Sequence, residues 1–355
     1  QLEILRLLRL QARVLILDEP TTGISAQQKL ALFETLRRLA SSGRTIFFVT
    51  HKLEDVQTLC HQVAVLRQGR LAGEVRPPFR MDALVEMMFG RLITPPAAPS
   101  AARDGAVLDL RALELEEGRI RLEGVSLQVR PGEIIGLAGL EGSGQDLLLR
   151  VCAGLHPPSG GRLFLQGLEF TRRPYPAFRH SGVAYVPSAR LELGLLPNLN
   201  LMDHLLLARR TGGLLIDRDW ARTEAAARIA DFCIQGTPHT PVRSLSGGNQ
   251  QRALLSLLPA RLALLLMEHP TRGLDVESAS AVWQKLRQRC QDGTAILFTS
   301  IDLEEILGHS DRILVFADGT ISPPLPVESC TPERLGHLIG GRSWAGHSSG
   351  GPPPC

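Results

Sequence analysis

Val14-Leu15-Ile16-Leu17-Asp18-Glu19-Pro20-Thr21 returns 250 positions later as Leu264-Leu265-Leu266-Met267-Glu268-His269-Pro270-Thr271. The same offset carries Gly23 onto Gly273, Gly43 onto Gly293, Gly69 onto Gly319 and Gly90 onto Gly340 without a gap. Most apolar positions between these anchors stay apolar, so the repeat predicts two related domains in one polypeptide. Val14 to Leu17 is a short apolar run suited to a buried parallel strand. Ser25, with Gln28 three residues on, has capping-box spacing. Leu32, Phe33, Leu36, Leu39 and Ala40 mark one face of the helix that follows, and Gly43 is placed to stop it. Thr45 to Val49 is β-branched and aromatic, hence a second strand. Residues 1 to about 90 therefore read as helix, strand, helix, strand, and the short joints predict a parallel α/β sheet.

The 355 residues leave room for two domains, each able to bury a core. Hydrophobic content of 44% and charged content of 21% are those of a globular protein. A net charge of +3 exerts little pull on nucleic acid and argues against DNA or RNA as the main partner. Six cysteines are scattered without a C-x-x-C pair, which points to reduced thiols rather than a metal or disulfide framework. No apolar run reaches the ~18 residues of a membrane span. The best candidate, Leu254 to Met267, is interrupted by Pro259 and Arg261, so membrane association is expected only through a partner. No signal peptide is read, and Gln1 in place of Met suggests a start inside a longer coding sequence or after a processing event.

Residues 91–106 are rich in Pro, Ala and Ser and read as a linker. A second domain is expected over 107–340, after a first over 1–90, with a disordered tail over 341–355.

Two stretches of the second domain carry chemistry. Gly139-Leu140-Glu141-Gly142-Ser143-Gly144-Gln145-Asp146 follows the apolar run Ile134 to Ala138 and precedes Leu147-Leu148-Leu149, which reads as strand, glycine loop, helix. Such a loop can point N–H groups at phosphate. Against the P-loop pattern G-x-x-x-x-G-K-[ST], Gln145 stands where Lys belongs and Asp146 where the Mg²⁺-binding hydroxyl belongs. The motif alone leaves phosphate binding and a plain glycine turn both open. The second stretch, Leu245-Ser246-Gly247-Gly248-Asn249-Gln250-Gln251-Arg252, opens an apolar helix that Ser246 is placed to cap. Gly247 and Gly248 leave its first N–H groups open to an anion. An apolar strand, Leu262 to Met267, and Glu268-His269-Pro270-Thr271-Arg272-Gly273-Leu274-Asp275 follow.

Together these residues resemble the ATP-binding subunits of ABC transporters, whose signature is L-S-G-G-Q. Two such domains in one chain, with P-T-R-G-L-D-V in the second, resemble the bacterial simple-sugar and nucleoside importer ATPases. Ala184-Tyr185-Val186-Pro187-Ser188-Ala189-Arg190 is similar to the P-E-D-R segment of that group. The resemblance implies α/β P-loop NTPase domains with a mainly parallel sheet, one partial and one complete. It implies ATP and Mg²⁺ as cofactors. The partners it implies are transmembrane permease subunits and an extracytoplasmic substrate-binding protein, with the chain peripheral at the cytoplasmic face of the membrane.

In the first copy the resemblance makes Val14 to Glu19 a Walker B strand, with Asp18 holding Mg²⁺ through water and Glu19 as general base. His51 matches the switch histidine that contacts the γ-phosphate. Ser25 departs from the usual D-loop Asp. In the second copy Glu268 replaces the Walker B Asp, His269 the catalytic Glu, and Ile301 the switch histidine. No aromatic residue lies between Asp104 and Leu140 to stack on adenine. Gly139, Gly142, Ser143, Gly144, Gln145, Asp146, Glu268 and His269 thus form an altered nucleotide site, from which hydrolysis is excluded more firmly than binding. Gln1 aligns with Gln251, so the first copy's signature, P-loop and Q-loop are expected before residue 1. In the family each ATP lies between one domain's P-loop and Walker B and the other's signature. The tip Ser246, Gly247, Gly248, Asn249 and Gln250 is therefore expected to complete the site of Asp18, Glu19 and His51. The chain alone is expected not to hydrolyse ATP. A non-catalytic remnant stays open as an alternative. A soluble tandem ATPase acting on ribosomes is disfavoured by the short linker and altered second site, and a coiled-coil DNA-repair ATPase by the lack of heptad arms.

Overall fold

A computed structural model describes residues 12–21, 26–50, 53–67, 70–89, 105–209, 216–317 and 319–340. The chain divides into two units, Gln1–Pro95 and Pro96–Cys355. The helix expected before Val14, Ser25, His51, most of the linker and the tail lie outside the described residues.

The first unit carries β1 (Val14–Asp18), α1 (Ala26–Ser41), β2 (Thr45–Val49), α2 (Leu53–Leu59), β3 (Val63–Arg67), β4 (Arg70–Val75) and α3 (Met81–Phe89). Strands β1 and β2 pair in parallel, as the spacing predicts, with Val14 opposite Thr45 and Asp18 opposite Val49. Helix α1 lays Leu32, Phe33 and Leu36 on Leu17, Ile46 and Phe48. Gly43, at φ 86°, takes the left-handed conformation that ends the helix. The sequence reading stops at β2, whereas the structure continues through α2, the antiparallel β3–β4 hairpin and α3, packed around Val56, Val65 and Leu84. One face of the β1–β2 pair is bare: Val14 is 52%, Ile16 69%, Phe47 58% and Val49 51% exposed.

The second unit runs β5 (Leu108–Glu117), β6 (Ile120–Val129), β7 (Ile134–Gly139), α4 (Gln145–Cys152), β8 (Gly160–Leu165), β9 (Leu168–Glu169), α5 (Tyr175–His180) and β10 (Val183–Val186). There follow a π-turn (Arg190–Gly194), α6 (Leu201–Ala208), α7 (Arg218–Asp231), α8 (Gly247–Ser256), β11 (Leu264–Glu268), α9 (Val276–Gln291), β12 (Ala295–Thr299), α10 (Leu303–His309), β13 (Arg312–Ala317), β14 (Thr320–Ile321), β15 (Leu325–Pro326) and α11 (Pro332–Ile339). Strands β10, β11, β12, β7 and β13 lie side by side in that order, all parallel, and β14 and β15 add antiparallel edges to β13. A separate antiparallel sheet has the order β6-β5-β8-β9. The parallel strands are buried on both faces, as helix-covered α/β sheets require. Leu264, Leu266 and Leu297 pack with Leu147, Leu148 and Leu149 of α4, while Leu265, Met267 and Phe298 pack with Val282, Trp283 and Leu286 of α9.

The repeat holds at the level of the backbone. Helices α9 and α10 span the residues that the offset assigns from α1 and α2. Leu264 faces Ala295 as Val14 faces Thr45. Glu19 (φ 43°) and His269 (φ 46°) share a left-handed turn just past their strands. The units differ in cover. The strand face that α4 buries in the second unit is the bare face of β1–β2 in the first.

Candidate functional site

Asp18 ends β1 with its side chain exposed, and Glu19 follows it, also exposed. The Glu19 N–H donates to the Val49 carbonyl at 2.9 Å, which pins the turn to β2. Two residues on, the Thr21 hydroxyl donates to Asp55 Oδ2 at 2.5 Å, and the Lys29 ammonium pairs with the other oxygen of this fully buried carboxylate. Asp55 sits on α2, directly after the segment that holds His51. The acids are thus presented at a strand end whose backbone is tied on both sides, while their carboxylates face outward. A carboxylate so placed fits a hydrated Mg²⁺, which commonly takes one or two carboxylates, water and phosphate oxygens.

The second unit retains the frame and changes the chemistry. The glycine loop turns through Gly142 (φ 84°) and Gly144 (φ 104°) between β7 and α4. A Cβ on Gly144 would meet Leu122 at 2.7 Å, so only glycine lets the loop lie against β6. Gln145 is buried and turns back on its own loop, donating from Nε2 to the Leu140 carbonyl at 3.2 Å. Asp146 pairs with Arg150 one turn along at 3.3 Å. Both side chains at the positions that distinguish a P-loop are therefore occupied within the protein.

Glu268 is buried at the end of β11 and accepts three hydrogen bonds. Tyr185 Oη donates to one oxygen, and the Ser188 N–H (3.0 Å) and Oγ (2.8 Å) donate to the other. Burial, and then this bond to Glu268, push the Tyr185 phenol well above its ordinary range. The carboxylate joins β11 to the segment after β10 and is engaged at both oxygens. Glu268→Asp, one methylene shorter, cannot reach both partners. It is expected to cost about 1–3 kcal/mol, read as a lower urea midpoint. His269 donates its N–H to the Thr299 carbonyl at 2.8 Å, as Glu19 does to Val49. Burial, and then Arg272, lower its imidazole pKa, which leaves it neutral at pH 7. Ile301 is exposed.

A tie unforeseen in the sequence recurs in both units. Thr271 donates to Glu305 Oε1 at 2.5 Å, as Thr21 does to Asp55. Trp283 Nε1 joins it at 2.8 Å, and the Ser300 hydroxyl reaches Oε2 at 2.5 Å. The offset pairs Asp55 with Glu305 and Thr21 with Thr271, so the signal was present in the repeat. Trp283 also stacks on His309 with centroids 4.1 Å apart and rings 6° from parallel. Burial, and then Arg287, push the His309 imidazole down to about 3. The unfolded chain binds that proton near pH 6.5 and the folded chain only near 3. His309 thus contributes stability that is full above about pH 6.5 and lost as pH falls toward 3, by up to about 1.4 kcal/mol per unit. Thermal unfolding between pH 7 and 4 is expected to show a shallower decline for His309→Gln than for the wild type.

At the start of α8 the Ser246 Oγ accepts from the Asn249 N–H at 3.4 Å and from Asn249 Nδ2 at 2.9 Å, the predicted cap. Asn249 is buried, and its Oδ1 accepts from the Gln235 N–H at 2.8 Å and Arg252 at 3.0 Å. Gln250 Nε2 donates to the Leu245 carbonyl at 3.0 Å. These amides brace the turn, and the backbone N–H groups of Gly247 and Gly248 have no acceptor within the helix. No cluster of three or more His, Cys, Asp or Glu able to hold a metal occurs among the described residues. Among those residues, no helix is long and apolar enough to cross a membrane.

Residues 122–272 match the ABC transporter family model. The chain is 37% identical over 341 residues to a ribose import ATP-binding protein RbsA 1 of Rubrobacter xylanophilus, covering 94% of this chain and 68% of that protein. It is 35% identical over 349 residues to the ribose import ATP-binding protein RbsA of Yersinia pestis, covering 96% of this chain and 68% of that one. Among solved structures, the ADP conformation of the ATP-binding cassette MJ1267 superposes with a TM-score of 0.54 at 17% identity, over 67% of this chain and 96% of that one, a likeness of fold.

Proposed function

The chain belongs to the ATP-binding proteins of ABC transporters, and from that membership we propose that it powers import of ribose or a related simple sugar. The asymmetry between its two copies carries the proposal. Asp18 and Glu19 keep the acids of a hydrolytic site, whereas in the second unit Glu268 is bound to Tyr185 and Ser188 and Gln145 to its own loop. Asp18 would hold Mg²⁺ through water. When bound, the ion neutralises charge developing on the phosphoryl oxygens. Glu19 takes the proton of the attacking water, and His51 is assigned to the γ-phosphate. The N–H donors of the Ser246–Gln250 tip bind phosphate oxygens without proton transfer. The second unit's loop is proposed to hold nucleotide without splitting it.

We assign the membrane association to permease subunits, with an extracytoplasmic binding protein delivering the sugar. None of the chain's three lysines, Lys29, Lys52 and Lys285, falls within the glycine-loop sequence Gly139 to Asp146. The chain by itself is therefore proposed to release no phosphate from ATP. In vesicles holding the full-length protein with its permease and binding protein, ATP hydrolysis is expected to rise with ribose. Stimulation by nucleosides but by no simple sugar would overturn the substrate assignment, and ATP turnover by the purified chain would overturn the claim that it is inactive alone.

A further inference from the structure

Arg190 closes the Pro187-Ser188-Ala189-Arg190 segment and opens the π-turn. Its half-buried guanidinium donates from one Nη to the Gly247 carbonyl at 2.5 Å and from the other to the Arg272 carbonyl at 2.7 Å. The first acceptor is the opening residue of α8, and the second lies in the turn after β11. The peptide that carries the Gly247 oxygen also carries the Gly248 N–H, and in a planar trans peptide the two point opposite ways. Gripping the oxygen therefore aims the N–H. Two consecutive glycines have the greatest freedom to rotate and no side chains with which to hold themselves. A Cβ on Gly247 would lie 3.3 Å from the Arg190 Nη, and one on Gly248 would lie 3.2 Å from the Gly273 carbonyl. The tip is thus packed on both sides by the groups that position it. Gln251 Nε2 adds a buried tie from the same helix to the Pro270 carbonyl at 2.7 Å.

We propose that Arg190 is a positioning residue for ATP hydrolysis, gripping the Gly247–Gly248 peptide so that its N–H faces the nucleotide phosphates. The proposal rests on the reading of Ser246–Gln250 as a phosphate-contacting tip. It requires arginine, because a planar fork spans two carbonyls that a single ammonium cannot bridge in the same way.

Three variants, Arg190→Ala, Arg190→Lys and Glu19→Gln, are compared in the full-length protein assembled with its membrane partners. Arg190→Ala is expected to lower kcat by about ten- to a hundredfold, with KM for ATP little changed. Arg190→Lys recovers little of the loss, and it alone decides the matter if the alanine variant does not assemble. Hydrogen exchange on the purified protein is expected to quicken in peptides spanning α8 of Arg190→Ala and to stay unchanged in β11. Wild-type turnover in Arg190→Ala, or full recovery by Arg190→Lys, while Glu19→Gln is inactive, would overturn the positioning role and leave the hydrolytic assignment standing. Wild-type turnover in Glu19→Gln would remove the assignment itself. Unchanged exchange in α8 would show that there is no grip to lose.

Discussion

Glu19→Gln is expected to lower ATP turnover of the assembled transporter by about 10²–10⁴-fold. Glutamine has the size of glutamate and can still accept a hydrogen bond from water, but it cannot take up the proton. The backbone that presents it is tied by the Glu19 N–H on the Val49 carbonyl and by Thr21 on Asp55. Nucleotide binding should therefore survive while the chemical step fails, so that the loss falls on kcat rather than on KM. Phosphate release measured beside binding of a fluorescent ATP analogue separates the two. Retained turnover would mean that another group activates the water.

The largest effect on stability is expected at Glu305→Ala, about 3–4 kcal/mol. Burial pushes the Glu305 carboxyl upward, against the pull of the Ser300, Thr271 and Trp283 bonds. All three donors would lose their acceptor in one substitution, and the indole N–H, unlike the two hydroxyls, can only donate. These donors lie in the turn after β11, on α9 and at the end of β12, so the carboxylate joins three elements at one point. Thr271→Val removes one donor and leaves the acceptor with two, for which about 1 kcal/mol is expected. Urea unfolding of the two variants should give these unequal losses. Equal losses would mean that the carboxylate gains no more from three donors than from one.

Much of the first unit's core was legible. Val14 to Leu17 and Thr45 to Val49 are contiguous apolar or β-branched runs, and a helix between them with Leu32, Phe33 and Leu36 on one face follows from periodicity. The cap at Ser246 was legible for the same reason, since its acceptor and donor are three residues apart. The hairpin Val63–Val75 was not, because its strands are short and mixed with Arg, Gly and Glu. The strand expected over Leu262 to Met267 runs instead over Leu264–Glu268, displaced toward the turn that positions the acid.

The sequence by itself determined the duplication, the family and the replacement of the Asp-Glu pair by Glu268-His269 in the second copy, because each is written in neighbouring residues or in one constant offset. Only the tertiary structure decided what the replaced side chains do. Glu268 meets Tyr185 and Ser188 because β10 lies beside β11, although about eighty positions separate them in the chain. Arg190 reaches Gly247 and Arg272 for the same reason. Strands pack about 4.8 Å apart, and which strand lies next to which follows from the folding of the whole sheet and is absent from any local stretch of it.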